Sequence, residues 1–260
     1  MYIFEIVVPG IWIDLEDRGL AWRTEGLLRS LQSQFFEANL ALNLFEEAQS
    51  AVAARFPDRD AWFRDSQRRA EIQQALEVEV GGMLNRELMD QIRFQSEVIF
   101  KRERWASGVV PRELQHRIPF VHARTFLYAL DSFDKLLNVL AKEPGAPSAL
   151  TDAKDEMARL FPTLREVRNS AHHIEDRLRY LGKYNKPLDL KPVNAGGIRA
   201  PGGALILDNL NGSRYGATMV DGHFGEVDVS NESMEGLQAV LNNVYRAYPW
   251  KGPKQHLPSV

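Results

Sequence analysis

Pro162-Thr163-Leu164-Arg165-Glu166-Val167-Arg168-Asn169-Ser170-Ala171-His172-His173 is the stretch on which the fold of this 260-residue chain turns. Pro162 suits the first turn of a helix, where its missing N–H leaves nothing unsatisfied. From there Leu164, Val167, Ala171, Ile174, Leu178 and Leu181 recur at alternating steps of three and four. That spacing predicts one amphipathic helix ending at Gly182, a residue suited to a C-cap. Arg168, His172 and His173 ride on or beside the shoulder of the apolar stripe, near a helix–helix packing face and away from a loop tip.

Upstream, the period stays helical. Leu28, Leu31, Phe35, Ala38, Leu42, Phe45 and Val52 predict a long helix with Thr24 as N-cap and Phe56-Pro57 as its stop. A second helical run opens near Asp58 and carries Ile72, Leu76, Val80, Leu84, Leu88 and Ile92 toward Ile99. Gly81-Gly82 in its middle marks a kink or a close helix crossing. A third helix carries Ala123, Phe126, Leu130, Phe133, Leu137 and Leu140, and the connector Glu143-Pro144-Gly145-Ala146-Pro147 cannot continue it.

Downstream, the texture changes. Lys186 to Gly203 is rich in Pro and Gly and reads as a long loop or lid. Ala204–Leu210, Arg214–Val220 and His223–Val229 follow, separated by Asn211-Gly212 and Asp221-Gly222. Both dipeptides signal type I′ turns, so a three-stranded meander is expected. Ser230 or Asn231 then caps a closing helix that carries Leu237, Val240, Leu241, Val244 and Tyr248. The apolar start, Ile3 to Val8, reads as a strand able to join the edge of the meander. The expected class is α+β, mainly α. It comprises a helical bundle over 1–184, a loop over 185–203, and a meander with its closing helix over 204–250, all packed as one unit.

Composition narrows the chemistry. The net charge is -3, from 32 basic and 35 acidic residues, so any anion site has to be local. The chain has no cysteine, which removes disulfides, cysteine-based zinc sites and thiol chemistry. Ile3 to Val8 lacks a basic leader and is too short for a signal or a membrane span. A soluble, cytoplasmic protein without membrane attachment is therefore expected. Gly196-Gly197 and Gly202-Gly203 lack the strand-before, helix-after setting of a phosphate loop, and there is no Gly-x-Ser-x-Gly elbow.

The motif itself offers two functions. An Arg can hold a phosphate with two hydrogen bonds and stabilise charge developing on it. A His titrating near neutrality can take the 2′-OH proton of RNA or protonate the 5′-oxygen leaving group. In one helix, residues five apart are rotated by about 140°, so Arg168 and His173 diverge, whereas His172 sits almost above Arg168. A single helix thus favours Arg168 with His172. Two copies about a two-fold axis can bring Arg168 and His173 to a shared cleft. Asn169 can orient either group.

The segment Pro162–His173, with its Arg-Asn, three residues, His pattern, resembles the signature helix of HEPN domains. Arg124-Thr125-Phe126-Leu127-Tyr128-Ala129-Leu130-Asp131-Ser132-Phe133-Asp134-Lys135 resembles the helix that packs against it in that family. The likeness covers mainly residues 120–182. It implies a dimer-forming α-helical bundle and metal-independent endoribonuclease activity at the dimer interface. It also implies Arg168 and His173 as catalytic residues and Asn169 as a helper, with His172 either supporting them or acting as the acid–base itself. Arg165 and Lys183 are the expected RNA contacts. Such domains recur in toxin–antitoxin and phage-defence systems, so an antitoxin or another protein partner is a further expectation. The long N-terminal helices and the C-terminal meander depart from the family pattern.

A plainer reading stands beside each feature. Arg168 and His172 also suit an exposed helical pair. His172-His173 makes a poor metal site, because adjacent helical histidines diverge and Glu175 and Asp176 read as solvated charges, so no metal or cofactor is expected. Asp131 and Asp134 read as surface charges beside a leucine stripe. Phe100-Lys101-Arg102-Glu103-Arg104-Trp105 reads as a solvated helix end, diluted by Glu97 and Glu103. The alternative function is a non-catalytic helical module that binds protein or nucleic acid. The enzyme requires Arg168 and His173 to face one accessible cleft.

Overall fold

In chain order the elements begin with β1 (Ile6–Val8), β2 (Trp12–Ile13), α1 (Arg18–Ala53), α2 (Arg59–Val80), α3 (Arg86–Ala106) and α4 (Arg112–Leu140). Then come α5 (Ala149–Leu160), α6 (Leu164–His172), α7 (Ile174–Leu178) and a 3-10 turn over Lys183–Asn185. The chain closes with β3 (Val193–Ala195), β4 (Ile198–Ala200), β5 (Asn209–Asn211), β6 (Arg214–Thr218), β7 (Phe224–Asp228), α8 (Asn231–Arg246), β8 (Trp250–Lys251) and β9 (Gln255–Leu257). This computed structural model describes residues 1–53, 59–81, 85–195 and 197–259. It is α+β and mainly helical. Two units divide it, Met1–Ala48 with Pro119–Val260, and Gln49–Ile118. Among the described residues no helix is long and apolar enough to cross a membrane.

The larger unit is built on the stripes that the sequence displays. Leu31, Phe35, Ala38 and Leu42 of α1 are fully buried with Phe126, Leu130, Phe133, Leu137 and Leu140 of α4 in one core. Leu237, Val240, Leu241 and Val244 of α8 join the same core. Burying one such side chain contributes about 1.5–3 kcal/mol, which is why these stripes dominate the local propensities. α1 begins six residues before Thr24, because the Asp17 carboxylate accepts the free N–H groups of Gly19 at 2.8 Å and Leu20 at 3.0 Å. Those two bonds hold the Asp17 carboxyl below its ordinary range. Thr24 is instead buried inside the helix.

The smaller unit corrects the expected run from Asp58 to Ile99. Its helix stops at Val80, Gly81 turns with φ 62°, and Asn85 caps α3 by accepting from the N–H of Leu88 at 2.9 Å. Arg68 with Glu103, Arg69 with Glu97 and Arg104 with Asp65 then pair α2 with α3 in antiparallel order. Phe100 is buried with the Arg69 guanidinium over its ring, so the Phe100–Trp105 run is a paired helix end. Phe56-Pro57, Asp58, Gly82, Leu84 and Gly196 lie outside the described residues, as does the side chain of Val52.

The C-terminal meander forms in the order β5-β6-β7. Its first hairpin closes through Gly212-Ser213 rather than Asn211-Gly212, since Asn211 pairs with Arg214 and Gly212 supplies φ 58°. Its second loop is longer, because Thr218 pairs with Phe224 and Asp221-Gly222 lies within five connecting residues. α6 packs on β6 and β7, and a Cβ on Gly225 would stand 3.0 Å from Val167 Cγ2, so the strand needs glycine where the helix comes closest. β1 joins no meander edge. It pairs antiparallel with β9, Ile6 opposite Leu257, and β2 pairs with β8. The Lys186–Gly203 stretch is more than a loop, for β3 and β4 form a hairpin within it.

Candidate active site

The predicted helix over Pro162–Gly182 is broken. α6 ends at His172, and His173 takes φ -107° and ψ 52° before α7 starts at Ile174. The backbone N–H of His173 still closes the last turn on the carbonyl of Asn169 at 2.9 Å. Leu164 and Val167 are buried as expected, whereas Leu178, beyond the break, is exposed. Gly182 is not the C-cap of α6 or α7 but precedes the 3-10 turn as its N-cap residue. It lies where a Cβ would meet the Val220 carbonyl at 2.8 Å, against the loop after β6.

Two shoulders of α6 do different things. On the first, Arg168 donates through Nη2 to Asp131 of α4, at 3.0 Å to Oδ1 and 2.9 Å to Oδ2. Asp131 also holds Lys135 at 2.6 Å and is only 4% exposed, so it is no surface charge. Asp134, half-buried one turn on, has its carboxyl pushed up by burial and by the neighbouring Asp131 charge. His172 faces the same helix, its Nδ1 3.5 Å from the Tyr128 hydroxyl and its ring edge-on to the tyrosine.

The second shoulder opens on a cleft of about 480 Å³. Arg165, Asn169 and His173 line it from α6 and the break, and Lys183 and Tyr184 line it from the following loop. Glu166, Asp176 and Arg177 complete its charged lining. His173 is half exposed, with Nδ1 3.5 Å from a Glu175 oxygen. The Glu175 carboxyl lies below its ordinary range, chiefly through a hydrogen bond from its own backbone N–H and, to a smaller degree, through His173.

The loop at the rim is under strain. Tyr180, Tyr184 and Asn185 have φ of 56°, 58° and 57°, and among the described residues these are the non-glycine positions with positive φ. Left-handed backbone costs an ordinary residue about 1–2 kcal/mol. It is held here by Leu188 N–H on the Tyr180 carbonyl at 2.8 Å and Gly182 N–H on the Lys186 carbonyl at 2.7 Å. Strain of this kind, concentrated at one cleft, is characteristic of binding and catalytic sites.

Of the residues expected from sequence, Arg165, Asn169, His173 and Lys183 therefore come together, while Arg168 and His172 pack toward α4 instead. His172 stays adjacent through its ring, 5.0 Å from that of His173. Sequence reasoning missed Arg177, Tyr184 and the burial of Asp131. Asp131 carried a signal, since it stands four residues after Leu127 on the buried face of α4. The break also gathers His173, Glu175 and Asp176 so that one ligand atom from each lies within 4.8 Å of the others. In the sequence Glu175 and Asp176 stand at helical ligand spacing from the histidines but read as solvated charges; as placed, the three residues are able to hold a divalent cation. Comparison with family models, curated proteins and solved structures finds no match for the chain.

Proposed function

We propose that the chain is a HEPN-type endoribonuclease that cleaves single-stranded RNA in the cleft beside α6, with His173 as the acid–base group. The observation that carries this reading is the convergence of Arg165, Asn169, His173 and Lys183 on one accessible cleft. In the reaction, His173 takes the 2′-OH proton, and the 2′-oxygen–phosphorus bond forms as the bond to the 5′-oxygen breaks. The leaving oxygen takes up a proton from water or from the protonated His173, and the upstream fragment ends in a 2′,3′-cyclic phosphate. The cations of the cleft stabilise the charge that develops on the phosphoryl oxygens. Asn169 orients the phosphate or the imidazole. Arg168, fixed by Asp131, holds α6 against α4, and a homodimer is the proposed assembly.

The test is cleavage of end-labelled single-stranded RNA in EDTA. The expected result is fragments with cyclic phosphate ends. Cleavage that appears only with added divalent cation would replace this chemistry with one run by the His173, Glu175 and Asp176 group. One observation favours a second reading: the enzyme was expected to need Arg168 and His173 facing one accessible cleft, and within the chain that condition is not met, since the Arg168 guanidinium is committed to Asp131 and does not line the cleft. A non-catalytic module that binds nucleic acid or protein has no need of a free Arg168, and the absence of cleavage under every condition would establish it.

A further inference from the structure

Arg177 is an anomaly in this cleft. It is 4% exposed, yet among the described residues no carboxylate pairs with it. Its Nε donates to Ser170 Oγ at 3.3 Å and its Nη1 to the Leu181 carbonyl at 2.6 Å, both neutral acceptors. Buried arginines are ordinarily paired, because an uncompensated charge out of water is costly. A guanidinium fixed by two neutral acceptors, unneutralised and lining a cleft, is preorganised for an anion from outside the chain. The neighbours agree: Arg165, Arg177 and Lys183 are three cations against the two carboxylates Glu166 and Asp176.

A flat apolar surface stands beside this charge. Tyr184 is 81% exposed and lines the same cleft, held in left-handed backbone with the Lys183 ammonium 5.2 Å from its ring centroid. Exposed aromatics next to cations are the stacking platforms of single-stranded nucleic acid binders. We propose that Arg177 is the phosphate anchor of the cleft and Tyr184 its base platform, together forming one nucleotide subsite for single-stranded RNA. The proposal rests on the reading of the cleft as an RNA site. It moves the phosphate contact from Arg168, the residue that the motif suggests, to an arginine outside the motif.

The test uses the full chain and a fluorescent 2′-O-methyl oligonucleotide, which lacks the nucleophile and so reports binding whether or not RNA is cut. Tyr184→Ala is expected to weaken binding by about tenfold, the scale of one lost base stack, and Tyr184→Phe to retain it. Arg177→Gln is expected to weaken binding by at least about tenfold and to flatten the slope of log affinity against log salt by about 0.7, as for one lost phosphate contact on a single strand. Arg29→Gln, away from the cleft, should change neither. If Arg177→Gln fails to fold, Lys183→Gln and the two Tyr184 variants decide. Unaltered affinity in the Arg177 or Tyr184→Ala proteins, or no binding by the wild type, overturns the subsite. Intact binding that depends on these residues, in a protein that never cleaves RNA, upholds the subsite and sinks the nuclease.

Discussion

The two shoulders of α6 are built from the same residue types and end in opposite states. On the α4 side, the Arg168 guanidinium is tied through Nη2 to the buried Asp131, with its Nε buried and unpaired, and the exposed His172 ring lies beside Tyr128. On the cleft side, Arg165, Asn169 and His173 line open space, and the buried Arg177 of α7 joins the lining. The difference teaches that a charged residue in a motif is defined by what lies across from it. An acid on the packing helix turns an arginine into a structural tie, and a glycine-lined gap leaves its neighbour available for a ligand.

The closed shoulder breaks most severely at Asp131. Asp131→Ala leaves the largely buried Arg168 without its carboxylate, while Lys135 is exposed to solvent, and loss of one partner of a buried pair costs about 3 kcal/mol or more. Chemical denaturation should show this as a lower midpoint at an unchanged slope. A comparable loss for His173→Gln, on the exposed side, would erase the contrast between the shoulders.

The open shoulder depends on Gly182. A Cβ there meets the Val220 carbonyl, and an overpacked contact of that kind costs about 1–3 kcal/mol, so Gly182→Ala should melt earlier and lose RNA binding together. Retention of both would mean that the cleft does not need this close approach.

Asp134 sharpens the comparison through pH. Its carboxyl is pushed up in the folded protein, by burial first and Asp131 second, so the folded state binds more protons than the unfolded state in the window just above the ordinary aspartate value. Stability linked to Asp134 is therefore fully present below the unfolded pKa and falls as pH rises through the folded one. Asp134→Asn should be more stable than wild type at neutral pH, with the gap closing in acid. Thermal unfolding followed between acid and neutral pH measures it, and a gap that widens in acid would contradict the burial argument.

Much of this was legible because it is local. The stripes of α1, α4 and α8 and the existence of the meander follow from spacing within a few residues, whereas both turns differ from the expected two-residue Asn-Gly and Asp-Gly closures. α5 was missed, although Leu150, Ala153 and Met157 repeat at three and four and are buried. The pairing of β1 with β9 and β2 with β8 was not, since two or three residues at opposite ends of the chain carry no mutual signal. The break at His173 was hidden for another reason: Ile174, Leu178 and Leu181 keep the helical period straight through it. Arg177 bridges the two sides of that break, on Ser170 and Leu181, and its burial follows from tertiary contacts that no spacing encodes.

The most direct measurement compares His172→Gln with His173→Gln in cleavage of single-stranded RNA in EDTA, each variant first shown to be folded. Because only His173 lines the cleft, His173→Gln should lower the rate by about 100-fold or more, the scale of a lost general acid–base group, while His172→Gln stays within a few-fold of wild type. The reverse order, or equal activity in both variants, would contradict the division of the helix into a closed and a working side.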